Sequence, residues 1–217
     1  MGGLADGGTA SRTAISLVAE RVIQELLLAG ISGQAGSGGQ RTVSEVLTAA
    51  LQTASAAIFK AARRAGVPSG TTFSSVVLFG RQMVAAHVGD SRIYLEGADG
   101  LTPITEDHSM VARLLAMGQL TAEEARDNPQ RNMLYRSLGQ TEQVEVQSMS
   151  YAWRGYSRVL LCSDGLWDQV GDRDLRAILD AQPDSETAAD QLVGLANERG
   201  GPDNISLILV DLPREQA

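Results

Sequence analysis

Two aspartates stand at the edges of apolar runs: Asp164, in Val159-Leu160-Leu161-Cys162-Ser163-Asp164-Gly165, and Asp203, in Asp203-Asn204 ahead of Ile205-Ser206-Leu207-Ile208-Leu209-Val210. Each run predicts a buried strand, so each aspartate is expected as a short, rigid carboxylate at a strand's lip. A glycine follows Asp164 and Gly200-Gly201-Pro202 precedes Asp203, and both let the backbone come close to whatever the carboxylates hold. Oxygen donors of this kind suit hard divalent cations that keep several waters, one of which can become a nucleophile toward a phosphate ester. A lone aspartate beside glycine or asparagine is ordinarily a turn or cap residue. Two of them at the ends of two predicted strands favour the cation.

Asp107, in Ile104-Thr105-Glu106-Asp107-His108-Ser109, is a third candidate where a short strand hands over to a helix. A carboxylate there also fits a helix N-terminus, where the dipole is worth a few tenths to about 1 kcal/mol. His108 titrates in the range of a proton donor, but a single histidine is more often a hydrogen-bonded structural residue, and that reading is preferred. Gly89-Asp90-Ser91-Arg92 joins two predicted strands and reads as a tight turn. It also matches the nucleophile segment of one class of serine esterase. That chemistry needs a histidine downstream to activate Ser91, and His108 is the last in the chain, so the esterase reading is set aside.

The elements that must position these residues alternate in blocks. Apolar residues at helical spacing predict a helix over Thr9–Leu28 and a second over Val43–Ala65, separated by a Gly/Ser-rich loop, Ile31–Gln40. Strands follow over Thr71–Phe79, Gln82–Val88 and Arg92–Leu95, most simply as a hairpin meander. Helical pattern returns over Ser109–Gly118 and Thr121–Asp127, the latter with Thr121 as N-cap and acidic residues in its first turn. Strands over Val144–Met149 and Arg158–Cys162, helices over Asp172–Asp180 and Ser185–Glu198, and a last strand over Ile205–Asp211 complete the chain. Such blocks predict an α+β layered sandwich rather than a parallel α/β fold.

The chain's 217 residues with 43% hydrophobic content predict a single domain. A net charge of -8 disfavours nucleic acid and anionic membranes as partners, and a phosphorylated substrate would need cations to offset the repulsion. Cys162 is the only cysteine, which excludes an internal disulfide and fits a reducing compartment. No apolar stretch approaches the roughly 20 residues of a membrane span, so a cytoplasmic protein is expected.

Five segments, taken in order, resemble the PPM (PP2C-type) metal-dependent Ser/Thr protein phosphatases in their compact bacterial form. They are Gly70-Thr71-Thr72, His87-Val88-Gly89-Asp90-Ser91-Arg92, Thr105-Glu106-Asp107-His108-Ser109, Ser163-Asp164-Gly165-Leu166-Trp167-Asp168 and Gly201-Pro202-Asp203-Asn204-Ile205-Ser206. The resemblance covers essentially all of residues 1–217 and implies a four-layer αββα sandwich. It implies that Asp164 and Asp203 are ligands of a paired Mn²⁺ or Mg²⁺ centre, and that Asp107 belongs to a third, weaker site shared with Asp164. It further implies hydrolysis of phosphoserine and phosphothreonine in proteins by a metal-bound hydroxide, without a phosphoenzyme. Residues 109–139, with Pro129-Gln130-Arg131-Asn132, are similar to the family's flap subdomain. The implied partners are phosphoprotein substrates and a Ser/Thr kinase with its targets, and the implied state is a monomer.

The resemblance departs at the start. Met1-Gly2-Gly3 aligns with the second half of the family's Asp-Gly-Met-Gly-Gly motif, which leaves Asp6 in a variable loop. The aspartate that bridges both metals, and the family's first strands, are therefore expected before Met1. Loss of a bridging carboxylate would leave two cations repelling each other at roughly 4 Å, and missing strands would leave an exposed sheet edge. The rival reading is a phosphatase-fold pseudoenzyme that binds phosphoproteins without turnover.

Overall fold

The computed structural model describes residues 7–28, 42–126 and 128–213. Met1-Gly2-Gly3, Asp6 and the Ile31–Gln40 loop lie outside them. The fold is α+β, with two antiparallel sheets each packed against helices. By its internal contacts the chain divides into two compact units, and it passes between them at Gly89/Asp90, Glu106/Asp107 and Tyr151/Ala152.

The first unit holds helices α1 (Gly7–Val22) and α2 (Val43–Ala65) and a sheet of β1 (Phe73–Phe79), β2 (Gln82–Val88) and β5 (Gln147–Ala152), in the order β1-β2-β5. The expected first helix ends as α-helix at Val22 and continues as a π-helical segment over Ile23–Leu28. Thr42 starts α2 through a reciprocal capping box: its hydroxyl accepts from the Glu45 amide at 3.2 Å, and the Glu45 carboxylate accepts from the Thr42 amide at 2.7 Å. Gly66, at φ 68°, closes the same helix in the left-handed region. The α2 stripe of Leu47, Ala50, Leu51, Ala54 and Ile58 packs with Ala10, Ala14 and Val18 of α1 and with Val84, Ala86 and Val88 of β2. The short helices α3 (Met110–Ala116) and α4 (Ala122–Arg126) also belong to this unit. Val144, expected in a strand, is instead a buried loop residue of its core.

The second unit is a four-stranded antiparallel sheet, ordered β4-β3-β6-β7, of β3 (Arg92–Gly97), β4 (Gly100–Pro103), β6 (Tyr156–Cys162) and β7 (Leu207–Asp211). Helices α5 (Asp164–Trp167), α6 (Asp172–Ala181) and α7 (Ser185–Glu198) accompany it. Tyr94, Leu160, Leu166, Leu175, Leu179 and Leu192 are among its fully buried side chains. The expected meander is corrected here: β1 and β2 form a hairpin, whereas β3 pairs with β4 and β6 in a different sheet. Among the described residues β7 is the last strand in this sheet's order, with Leu207 and Leu209 packed on the core and Ile208 60% exposed.

A buried polar tie in this core is the Glu96–Arg158 pair, whose side chains are 9% and 8% exposed. Arg158 Nη2 donates to Glu96 Oε1 at 2.7 Å, and its guanidinium also donates to the Leu179 and Gln182 carbonyls that end α6. Breaking such a pair leaves a buried charge without compensation. Glu96→Gln is expected to lower the unfolding free energy in urea by about 3–5 kcal/mol; a loss below about 1 kcal/mol would show that the pair behaves as a solvated one.

Candidate metal centre

The register of two adjacent strands builds the site. Antiparallel pairing of β6 with β7 sets Cys162 opposite Leu207, so the chain leaving β6 and the chain entering β7 meet at one edge. Asp164 follows Cys162 by two residues and opens α5, while Asp203 stands in the loop before β7.

Ser163 holds the two segments together. Its amide donates to the Ser206 carbonyl at 2.9 Å, its hydroxyl donates to the Asn204 carbonyl at 3.1 Å, and the same hydroxyl accepts from the Ser206 amide at 3.1 Å. Gly165 completes the contact, since a Cβ there would lie 2.3 Å from the Asn204 carbonyl oxygen. Each carboxylate is oriented by the next amide in the chain: Asp164 Oδ1 accepts from Gly165 at 2.9 Å, and Asp203 Oδ1 from Asn204 at 2.7 Å. Asp164 is half-buried and Asp203 exposed. Burial, and next the charge of Asp203, hold the Asp164 carboxyl above its ordinary range.

Among the described residues, no group of three or more His, Cys, Asp or Glu side chains converges into a cluster that could hold a metal. The donor pair that does converge fits the expected ions: two carboxylates, one of them open to water, are hard oxygen ligands for Mg²⁺ or Mn²⁺ and leave positions for water. Bound positive charge would also relieve the repulsion that raises Asp164. Asp107 is half-buried and belongs to the other compact unit. Its assignment to a third cation position stays with the resemblance that suggested it.

Both histidines of the chain serve the backbone of Gly89. The Gly89 amide donates to His108 Nδ1 at 2.9 Å, and its carbonyl accepts from the His108 amide at 2.8 Å and from His87 Nε2 at 2.9 Å. His108 Nε2 lies 3.1 Å from Arg136 Nη1, so both ring nitrogens face N–H donors. Burial, then His87 and Arg136, lower His108 to about 3, so this ring is no proton donor near neutrality. Gly89 itself is at φ 118°, and a Cβ there would lie 2.4 Å from Thr72 Cγ2. The Gly-Asp-Ser segment is thus the corner where the chain leaves β2 for a different sheet, and neither histidine is available to activate Ser91.

The 109–139 segment returns to its own start. Met110 donates to the Met133 carbonyl at 2.8 Å and Tyr135 to the His108 carbonyl at 3.0 Å. Thr121 and Glu124 cap α4 reciprocally, at 2.8 and 3.2 Å.

Residues 2–198 match the protein phosphatase 2C family. The serine/threonine phosphatase stp of Listeria innocua is 39% identical over 142 residues, a match that covers 65% of this chain and 56% of that protein. The serine/threonine protein phosphatase PstP of Mycobacterium tuberculosis is 38% identical over 143 residues, covering 66% of this chain and 27% of that protein. Among solved structures, the M. tuberculosis phosphatase PstP/Ppp superposes with a TM-score of 0.81 at 33% identity, over 99% of this chain and 86% of that one. The catalytic domain of PstP in complex with two manganese ions superposes at 0.74 with 30% identity, over 97% and 84%. The chain belongs to the protein phosphatase 2C family.

The Gly165–Asn204 approach tests the site's construction. Gly165→Ala drives a methyl into a backbone carbonyl and must part the two loops. The expected outcome is a loss of about 1–3 kcal/mol of stability together with weaker Mn²⁺ binding by calorimetry. Unchanged Mn²⁺ binding in a folded Gly165→Ala protein would contradict this construction.

Proposed function

We propose that this chain hydrolyses phosphoserine and phosphothreonine in proteins, with a pair of Mn²⁺ or Mg²⁺ ions held in part by Asp164 and Asp203 and a weaker third ion at Asp107. The observation that carries the reading is the Ser163 clamp, which brings two like-charged carboxylates together in a chain of this family. Two like-charged carboxylates held near one another favour a cation between them. When bound, such cations supply the positive charge that offsets a phosphoryl group and activates water toward phosphorus.

The residues of the chain do the rest. Asp164 presents a carboxylate whose orientation is set by the Gly165 amide and whose half-burial limits competing water. Asp203, more exposed, leaves its side of the site open, as a phosphorylated loop of a protein substrate requires. The net charge of -8 makes the cations necessary for substrate approach as well as for chemistry. Residues 109–139 serve as a flap beside the substrate. The natural substrates are targets of a Ser/Thr kinase in the cytoplasm; no helix among the described residues is long and apolar enough to cross a membrane.

Phosphate release from a phosphothreonine peptide tests the reading. Release is expected to require Mn²⁺ or Mg²⁺, to stop with EDTA and to return when the metal is restored. Asp164→Asn and Asp203→Asn are each expected to cost more than the roughly 10–100-fold that loss of a supporting residue costs a metal site, while Ser91→Ala retains metal-dependent turnover. Peptide binding without metal-dependent release would replace the phosphatase by the binding module.

A further inference from the structure

Asp164 opens a helix too short to stand alone. The segment Asp164–Trp167 is four residues long, and a single turn fixes several dihedrals for about one hydrogen bond. Its conformation is therefore imposed by what its side chains touch. Gly165 lies against the Asn204 carbonyl, and Leu166 is fully buried in the core of the second unit. Trp167 is held in two directions at once. Its indole Nε1 donates to the Asp90 carbonyl at 2.9 Å, and the Arg92 guanidinium lies over its ring, 3.7 Å from the centroid.

Arg92 is itself fixed. Its Nη1 donates to the Tyr94 hydroxyl at 3.2 Å, and the hydroxyl donates to Asp172 Oδ1 at 3.0 Å. Burial raises the Tyr94 phenol, which keeps the proton that Asp172 accepts. Asp172 Oδ1 also stands 3.9 Å from Arg92 Nη1. A chain of contacts thus runs from the start of α6 through Tyr94 and Arg92 to the last residue of the turn that carries Asp164.

We propose that Arg92 is a positioning residue for the cation site: by clamping the Trp167 indole against the Asp90 carbonyl, it fixes the α5 turn and thereby the direction in which Asp164 presents its carboxylate. The inference rests on the reading of Asp164 as a cation ligand. It has a consequence opposite in sign to simple electrostatics. A guanidinium in the same unit repels a divalent cation, so removing it would tighten cation binding if charge were its only influence. Removing a clamp weakens binding, because the carboxylate must then be ordered at the moment the ion arrives. A lysine keeps the charge but lacks the flat face that covers an indole.

The test is a titration of the whole chain with Mn²⁺, following the EPR signal of the free ion, which needs no turnover. Arg92→Ala is expected to weaken Mn²⁺ binding on the order of 10-fold, the loss typical of residues that orient metal ligands. Arg92→Lys is expected to weaken it nearly as much, and Trp167→Phe, which removes the indole N–H, to weaken it with little further loss in the double variant. Arg173→Ala, which removes an exposed arginine from the same unit, leaves the affinity unchanged and controls for charge. Equal or tighter binding in Arg92→Ala overturns the proposal, as does full affinity in Arg92→Lys. If Arg92→Ala fails to fold, Arg92→Lys and Trp167→Phe decide the matter alone. Wild-type binding insensitive to Asp164→Asn would overturn the cation reading itself, an outcome distinct from a failed clamp.

Discussion

The hydrogen bonds that Ser163 makes across to Asn204 and Ser206 hold together the two segments that carry Asp164 and Asp203. Burial, and next the charge of Asp203, act against the Asp164 carboxylate. Three hydrogen bonds from one residue, each worth about 1 kcal/mol net, together with a close-packed glycine, keep the segments in contact. The remainder of the second unit keeps Ser163 where it can act. The β6–β7 register brings the two chain ends side by side, and the Glu96–Arg158 pair ties β6 and β3 to the end of α6.

The first unit uses the same device for a different end. Gly89 has its amide and its carbonyl satisfied by the chain's two histidines, and no side chain could replace its hydrogen atom without meeting Thr72. The chain turns at this corner on its way into the second unit, and the amide of His108, next to Asp107, donates to the Gly89 carbonyl. A histidine next to an aspartate invites a catalytic reading. Burial against His87 and the Arg136 guanidinium removes the proton that such a reading needs, and leaves the ring as an acceptor for the backbone.

Asp164 and Asp203 stood out as candidates because a charged residue beside an apolar run and a glycine is conspicuous in one dimension. What holds them did not. Ser163 reads as an ordinary polar residue at the end of a strand, and only the β6–β7 register turns it toward Asn204 and Ser206. The helices α2 and α7 were legible to the residue because their caps and stripes are local. Strand β4, with four residues ending in Pro103, gave too short a pattern to be bounded, although a short strand was expected ahead of Asp107. The meander failed for a related reason: β2 and β3 are close in sequence, and nothing local says that Gly89 turns the chain toward a different sheet.

The acidity of the chain then becomes part of the argument about the site. Two carboxylates on a protein of net charge -8 repel a phosphate ester as strongly as they repel one another. On the proposed reading, divalent cations at Asp164 and Asp203 would reverse the sign locally, and the surrounding acidity would sharpen the contrast between that place and the rest of the surface. A substrate phosphate would then be drawn toward the cations and opposed elsewhere. The orientation of Asp164 would consequently matter twice: for how firmly the ions are held, and for where on an otherwise repellent surface a phosphorylated side chain can settle.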